Sequence, residues 1–188
     1  MKNTSPIKPK RLLMKKLFLS LCLSLLVQTA YAYDPMDCVN DAVKVYPEFT
    51  NGLVTRLCSA ANTPEPVKCF AGIPQIDKTV TIGISVDLCV GTTNAKKTLD
   101  CYDKAADMDL NRGQAVRLCS GSGSMEPAKC YANISSVDNE INKGISVDVC
   151  GGSTNADKTI ACYSKAAKTF NRGMAITLCG VKNRQAEQ

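Results

Sequence analysis

The side chains with chemistry to offer are the cysteines. Eleven occur in 188 residues, and His and Trp are absent. Without His the usual general base and the commonest zinc ligand are missing, so Ser-His-Asp and Cys-His catalysis are excluded. Ten of the cysteines, Cys38, Cys58, Cys69, Cys89, Cys101, Cys119, Cys130, Cys150, Cys162 and Cys179, fall at steps of 20, 11, 20, 12, 18, 11, 20, 12 and 17 residues. Thiols in this number either bind metal or pair. The spacing disfavours metal, because no C-x-x-C occurs, and structural zinc sites are built on such close pairs with or without His. Neither a metal nor a cofactor is expected. An even set in an exported chain reads as a disulfide framework.

The alternation of long and short steps chooses the pairing. Joining cysteines across the long steps gives 38–58, 69–89, 101–119, 130–150 and 162–179 with none left over, whereas joining across the short steps strands Cys38 and Cys179. Helix geometry agrees. Beyond Cys162 the chain climbs about six residues, turns, and descends about eight to Cys179, so at ~1.5 Å per residue the sulfurs meet at one level. Across a short step the levels differ by roughly 10 Å, beyond the reach of a disulfide.

The same spacing marks an internal repeat of about 30 residues, present five times, with units 33–61, 62–91, 92–121, 122–152 and 153–188. Eight residues before the second Cys of each unit stand Thr50, Thr81, Asn111, Asn142 and Asn171, all N-cap residues. Six before it stand Gly52, Gly83, Gly113, Gly144 and Gly173, which suggests a crowded hairpin crossing. One before it stand Leu57, Leu88, Leu118, Val149 and Leu178, and three before it Thr55, Val86, Val116, Val147 and Ile176. This is a short capped helix with an apolar stripe, stopped by Gly91, Gly121, Gly152 and Gly180. The first Cys lies on another helix, with Val39, Phe70, Tyr102, Tyr131 and Tyr163 directly after it and Ala42, Ile73, Ala105, Ile134 and Ala166 four after it. Its start signals are Asp34-Pro35, Thr63-Pro64-Glu65, Ser124-Met125-Glu126 and the Thr/Asn runs near 93 and 154. A second period of 61 residues is superposed: Gly83-Ile84-Ser85-Val86-Asp87 recurs as Gly144-Ile145-Ser146-Val147-Asp148.

The expected fold is therefore all-α: five tandem disulfide-stapled α-hairpins stacked as a short solenoid. A 30-residue hairpin buries too little apolar surface to fold alone, so a staple per unit and stacking of neighbours are both required. The architecture resembles Sel1-like and tetratricopeptide arrays, which also stack α-hairpins. Their longer period and different Cys spacing are not met, so the resemblance is one of architecture and implies no activity.

Residues 1–32 carry six Lys and Arg, no acid, an apolar run from Leu17 to Val27, and the A-x-A pattern Ala30-Tyr31-Ala32. These are the parts of a secretory signal peptide. Met14 is favoured as the true start, which leaves 19 residues from Met14 to Ala32. Cys22 reads as an ordinary residue of the apolar run, because bulky Leu21 precedes it where a lipoprotein site wants a small residue. Removing the leader takes six of 23 basic residues and none of 17 acidic ones, so the exported chain, 33–188, has 17 of each and no net charge. That removes the electrostatic argument for nucleic acid or an anionic membrane as partner. No second apolar run follows, so no transmembrane segment is expected.

Several surface features are weighed against simpler roles. The aromatic residues after the first cysteines are expected to pack between hairpins. Arg56, Asp87, Arg117, Asp148 and Thr177, two before the second cysteines, are expected to face solvent and neutralise one another along the stack. Arg112, Lys143 and Arg172 form a modest basic edge, read as a solvated face. Asp100, Asp103 and Asp107 sit at helical spacing on a solvated face, and Asn133-Ile134-Ser135 is given little weight as a glycosylation sequon. The stretch Lys182 to Gln188 is polar.

No catalytic constellation appears, and the protein is not expected to be an enzyme. The functional expectation is an exported protein- or peptide-binding or scaffold module of the cell envelope, periplasmic or extracellular. The alternatives are a secreted effector or inhibitor and, third, a hydrolase with paired carboxylates. Mass spectrometry of the non-reduced exported chain is expected to read ten hydrogens below the reduced one, one pair for each of the five cysteine pairs; stoichiometric free thiols would contradict the framework.

Overall fold

The computed structural model describes residues 32–180. The chain divides between Ala32 and Tyr33, and the unit from Tyr33 onward is described by itself. The expected leader, apart from Ala32, and the stretch from Lys182 lie outside the described residues. The helices are α1 (Pro35–Val45), α2 (Asn51–Cys58), α3 (Glu65–Ile76), α4 (Ile82–Cys89), α5 (Ala95–Ala106), α6 (Arg112–Cys119), α7 (Glu126–Asn133), α8 (Lys143–Cys150), α9 (Ala156–Ala166) and α10 (Arg172–Cys179), with a 3-10 turn at Ile134–Ser136 after α7. Among the described residues there is no strand.

Local chemistry explains where these helices begin. Asp34 caps α1 by accepting from the Met36 and Asp37 amides, with Pro35 as the first helical residue. Thr50, Asn111, Asn142 and Asn171 cap α2, α6, α8 and α10, and Asn94 and Asn155 cap α5 and α9. Such side chains satisfy amides that have no partner within the helix. Thr81 occupies the same place before α4 but makes no capping bond. The start signals Thr63-Pro64-Glu65 and Ser124-Met125-Glu126 open α3 and α7, with Pro64 and Met125 at the cap positions and no side-chain caps. Pro66 and Pro127 in those first turns bring no N–H of their own, so there is less to cap.

The ends correct the glycine reading. The residue two past the second Cys takes positive φ, at +55° in Ala60, +71° in Gly91, +65° in Gly121 and +75° in Gly152. Gly180 stands one position earlier and has φ −68°, so it is not a left-handed stop. Gly121 also meets a close neighbour, since a Cβ there would lie 3.0 Å from the Val90 carbonyl oxygen, and its amide donates to the Leu88 carbonyl. The glycines six before the second Cys are not crowded. A Cβ would meet nothing within 4 Å at Gly52 or Gly83, and only the cap oxygen of Asn111, at 3.4 Å, at Gly113. They lie in the first turn, beside the cap and away from the helix crossings.

Five disulfides tie the helices in pairs: Cys38–Cys58 (α1 to α2), Cys69–Cys89 (α3 to α4), Cys101–Cys119 (α5 to α6), Cys130–Cys150 (α7 to α8) and Cys162–Cys179 (α9 to α10). Their Cα–Cα distances run from 5.5 to 5.7 Å, the usual span. Odd-numbered helices each touch the next odd one and even-numbered helices the next even one. The core between them is built from the disulfides, Leu57, Leu88, Leu118 and Val149, and Ala42, Ile73, Ala105 and Ile134. Four of the seven buried polar residues pair with one another: Thr92 and Thr98 share a hydroxyl contact, and Ser153 and Thr159 repeat it at 2.9 Å.

Gly121→Val is expected to lower the melting temperature, since left-handed φ costs an L-residue about 1–2 kcal/mol before any clash. Gly113→Ala is expected to leave it unchanged or slightly raised. Thermal denaturation followed by circular dichroism checks both, and the reverse order would contradict the surroundings assigned to these two glycines.

Candidate binding surface

The residues that sequence offered as a basic edge are paired. Arg112 Nε donates to Asp77 at 3.0 Å and its Nη2 to Thr79 at 2.6 Å. Arg172 makes two bonds to Asp138, at 2.8 and 2.9 Å, and one to Glu140 at 3.3 Å. Lys143 is bonded to Asp109. Each base opens an even-numbered helix and each acid lies in the turn inside the preceding pair, 34 or 35 residues back. The edge is a row of ion pairs, because stacking brings each helix start onto the previous turn. The charges two before the second cysteines behave as expected: Arg56 meets Asp87 at 2.7 Å and Arg117 meets Asp148, while Thr177 ends the series.

These contacts set the titration of the acids. Hydrogen bonds from Arg172 and then Tyr163 hold the Asp138 carboxyl down at about 2 despite burial. Thr79, then Arg112, lowers Asp77. Lys143 lowers Asp109. Lys68 and the Ala95 amide lower Glu65, and the Ala156 amide and Lys129 lower Glu126. Every carboxyl resolved as shifted moves toward the ionised form, opposite to what a general acid requires. Asp100 is held by Lys96 at 2.8 Å and Asp107 by Lys104 at 3.8 Å, and Asp103 is exposed.

Glu65 and Glu126 had drawn attention only as start signals. Each sends a carboxylate oxygen to the first amide of the next odd-numbered helix, Ala95 or Ala156, at 2.8 Å. A carboxylate there also complements the helix dipole. Both bonds span 30 residues, and the two sites are offset by the 61 residues of the longer period, which was the available signal.

The aromatic residues pack. Phe70, Tyr102 and Tyr163 are buried, and Val39 and Tyr131 are half-buried. The Tyr102 hydroxyl donates to Asp77 and that of Tyr163 to Asp138. Phe49 lies 4.7 Å from Phe70, centroid to centroid, across the first two pairs. Asn133 is exposed and donates to the Lys129 carbonyl.

What remains open is a groove of about 680 Å³ over the linkers that follow α4, α6 and α8. Gly91, Thr93, Ser120, Gly121, Ser124 and Ser153 are among its lining residues, and none of the lining side chains is charged. Its floor is stiffened from below. Gly121 and Gly152 donate to the carbonyls of Leu88 and Leu118, Ser120 to that of Asp87, and Thr98 to that of Ser122. The linkers after α6 and α8 are thereby fastened to the preceding pair. Among the described residues no group of Cys, Asp or Glu gathers as a metal site, and no helix is long and apolar enough to cross a membrane.

The sign of the acid effect follows from Asp138. Its folded value of about 2 lies below the ordinary ~3.9 of an unfolded Asp. Its stabilisation is complete above about pH 4 and is lost as pH falls through about 2. Asp138→Asn is expected to lower the denaturation midpoint near neutral pH, with the gap to the parent closing between about pH 4 and 2. A gap independent of pH would contradict the assignment. In comparison with known proteins, no family model matches the chain, and no curated protein or solved structure matches it either.

Proposed function

We propose that the protein is an exported, non-enzymatic binding or scaffold module, directed by residues 1–32 to the periplasm or beyond, whose five helix pairs repeat as a short solenoid. Five disulfides support an oxidising destination. The single observation that carries the binding role is the groove over the linkers: a wide, uncharged surface with a floor fixed by hydrogen bonds between neighbouring pairs. Exposed hydroxyls such as that of Thr93, and a backbone made accessible by glycine, suit an extended protein or peptide segment. The recognition mode is main-chain hydrogen bonding with little demand for charge. A rigid site of this kind loses little conformational entropy on binding.

The ion-pair rows and lowered carboxyl values support a structural role for the acids, not a catalytic one. Pull-down from an envelope extract tests the reading, with oxidised chain as bait and reduced chain as control. Bound protein or peptide is expected to be lost on reduction. It is also expected to be lost from the groove-filling variants Thr93→Trp and Thr154→Trp, whose parent side chains are exposed. Retention unaffected by both substitutions would remove the groove as the site.

A further inference from the structure

The second helices carry a stripe made by the residue before the cap, the residue five before the second Cys and the residue one before it, at i, i+4 and i+8, apolar throughout except for Gln114 on α6. In the first four pairs it faces the next pair. Leu57, Leu88, Leu118 and Val149 are all buried, and Phe49 lies against Phe70 of the following helix pair. On α10 the same three positions are Phe170, Met174 and Leu178, and they are 45%, 54% and 51% exposed. No described pair follows to cover them. We propose that this stripe joins two copies of the chain tail to tail, Phe170, Met174 and Leu178 of each copy packing on the same residues of the other.

Three observations select a second copy. The stripe has the apolar pattern found in the first, second and fourth pairs, each of which receives a helix pair of its own kind. It is also uncharged: the series Arg56, Asp87, Arg117 and Asp148 ends in Thr177. A two-fold contact places a patch against itself, so any charge in it would meet its own sign, and here there is none. Finally, the opposite end is mixed: Met36 is 63% exposed there where Val67 and Ala128 are buried, but one position that is apolar in later pairs is polar. Thr55 is exposed where Val86, Val116 and Val147 are buried, as a terminal repeat requires. A head-to-tail join would set that polar position against the stripe, and it would leave both ends open to extension, whereas the two-fold contact closes at two copies. Residues 181–188 contain two apolar members, Val181 and Ala186, a poor substitute for three large side chains.

Sedimentation of the oxidised chain as recovered after expression, over a concentration series, tests the proposal against Met174→Lys and Leu178→Lys, singly and combined. Both parent side chains are exposed, so helix content and disulfides are expected to be unchanged, and both are measured. The parent is expected to approach the mass of two copies, and the double variant to need at least roughly tenfold higher concentration to do so, ~1.4 kcal/mol. A parent with the mass of one copy throughout, or variants that associate like the parent, would overturn the proposal. So would association that appears only when residues 181–188 are deleted, which would put that segment on the stripe. Growth past two copies that Met36→Lys blocks would place head on tail and overturn it as well. Peptide capture through the groove is independent of all these outcomes.

Discussion

The structure depends on one constraint, the covalent tie between the two helices of each pair. Each second helix is eight residues long, below the ~12–15 residues at which an isolated helix becomes even marginal in water. Closing a loop of about 20 residues removes roughly 3 kcal/mol of unfolded-state entropy on a loop-entropy model. The half-cystines also fill the interior: nine of the ten are buried, and Cys162 is packed partly buried against the others. With the pair fixed at one level, the residues one and three before the second Cys acquire set directions, and the faces that meet the neighbouring pairs follow from them.

The polar contacts between neighbouring pairs reach about 30 to 35 residues along the chain. Glu65 and Glu126 supply the caps that their successors' first amides would otherwise lack, and the acids of the inner turns receive the bases that open the next even-numbered helices. Most of these ion pairs are solvent-exposed and individually weak. The most buried of the acids is Asp138, whose side chain is 13% exposed and which also accepts from Tyr163, as the half-buried Asp77 accepts from Tyr102. Such contacts define the register of one pair on the next more than they add to stability. They leave the linkers lined by small residues, which is why a groove lies there.

Much of this was legible in the residues. The cysteine steps determined the pairing because helical rise permits only partners at the same level. Thr50, Asn111, Asn142 and Asn171 announced helix starts because a cap acts on amides two or three residues away. Signals that act over longer range misled. Gly113 recurs in the sequence as though at a crossing, yet its neighbour is the adjacent cap oxygen, and the close approaches are at Gly72, Gly121 and Gly123. Arg112, Lys143 and Arg172 read as a basic edge because their acids lie a whole helix pair earlier. Leu178 matched four buried residues in sequence and is exposed, since burial depends on whether another pair follows.

By itself, then, the sequence determined the helical class, the five cross-linked pairs, most of the helix starts and the residues that face inward within each pair. Those follow from rise per residue, capping and loop closure, which act within about 20 residues. The tertiary structure alone decided which charges meet, which carboxylate caps the next helix, which glycines are crowded, and where the surface stays open. Those depend on the offset between stacked pairs, which no single segment encodes, because it is the joint result of every side chain at the contact.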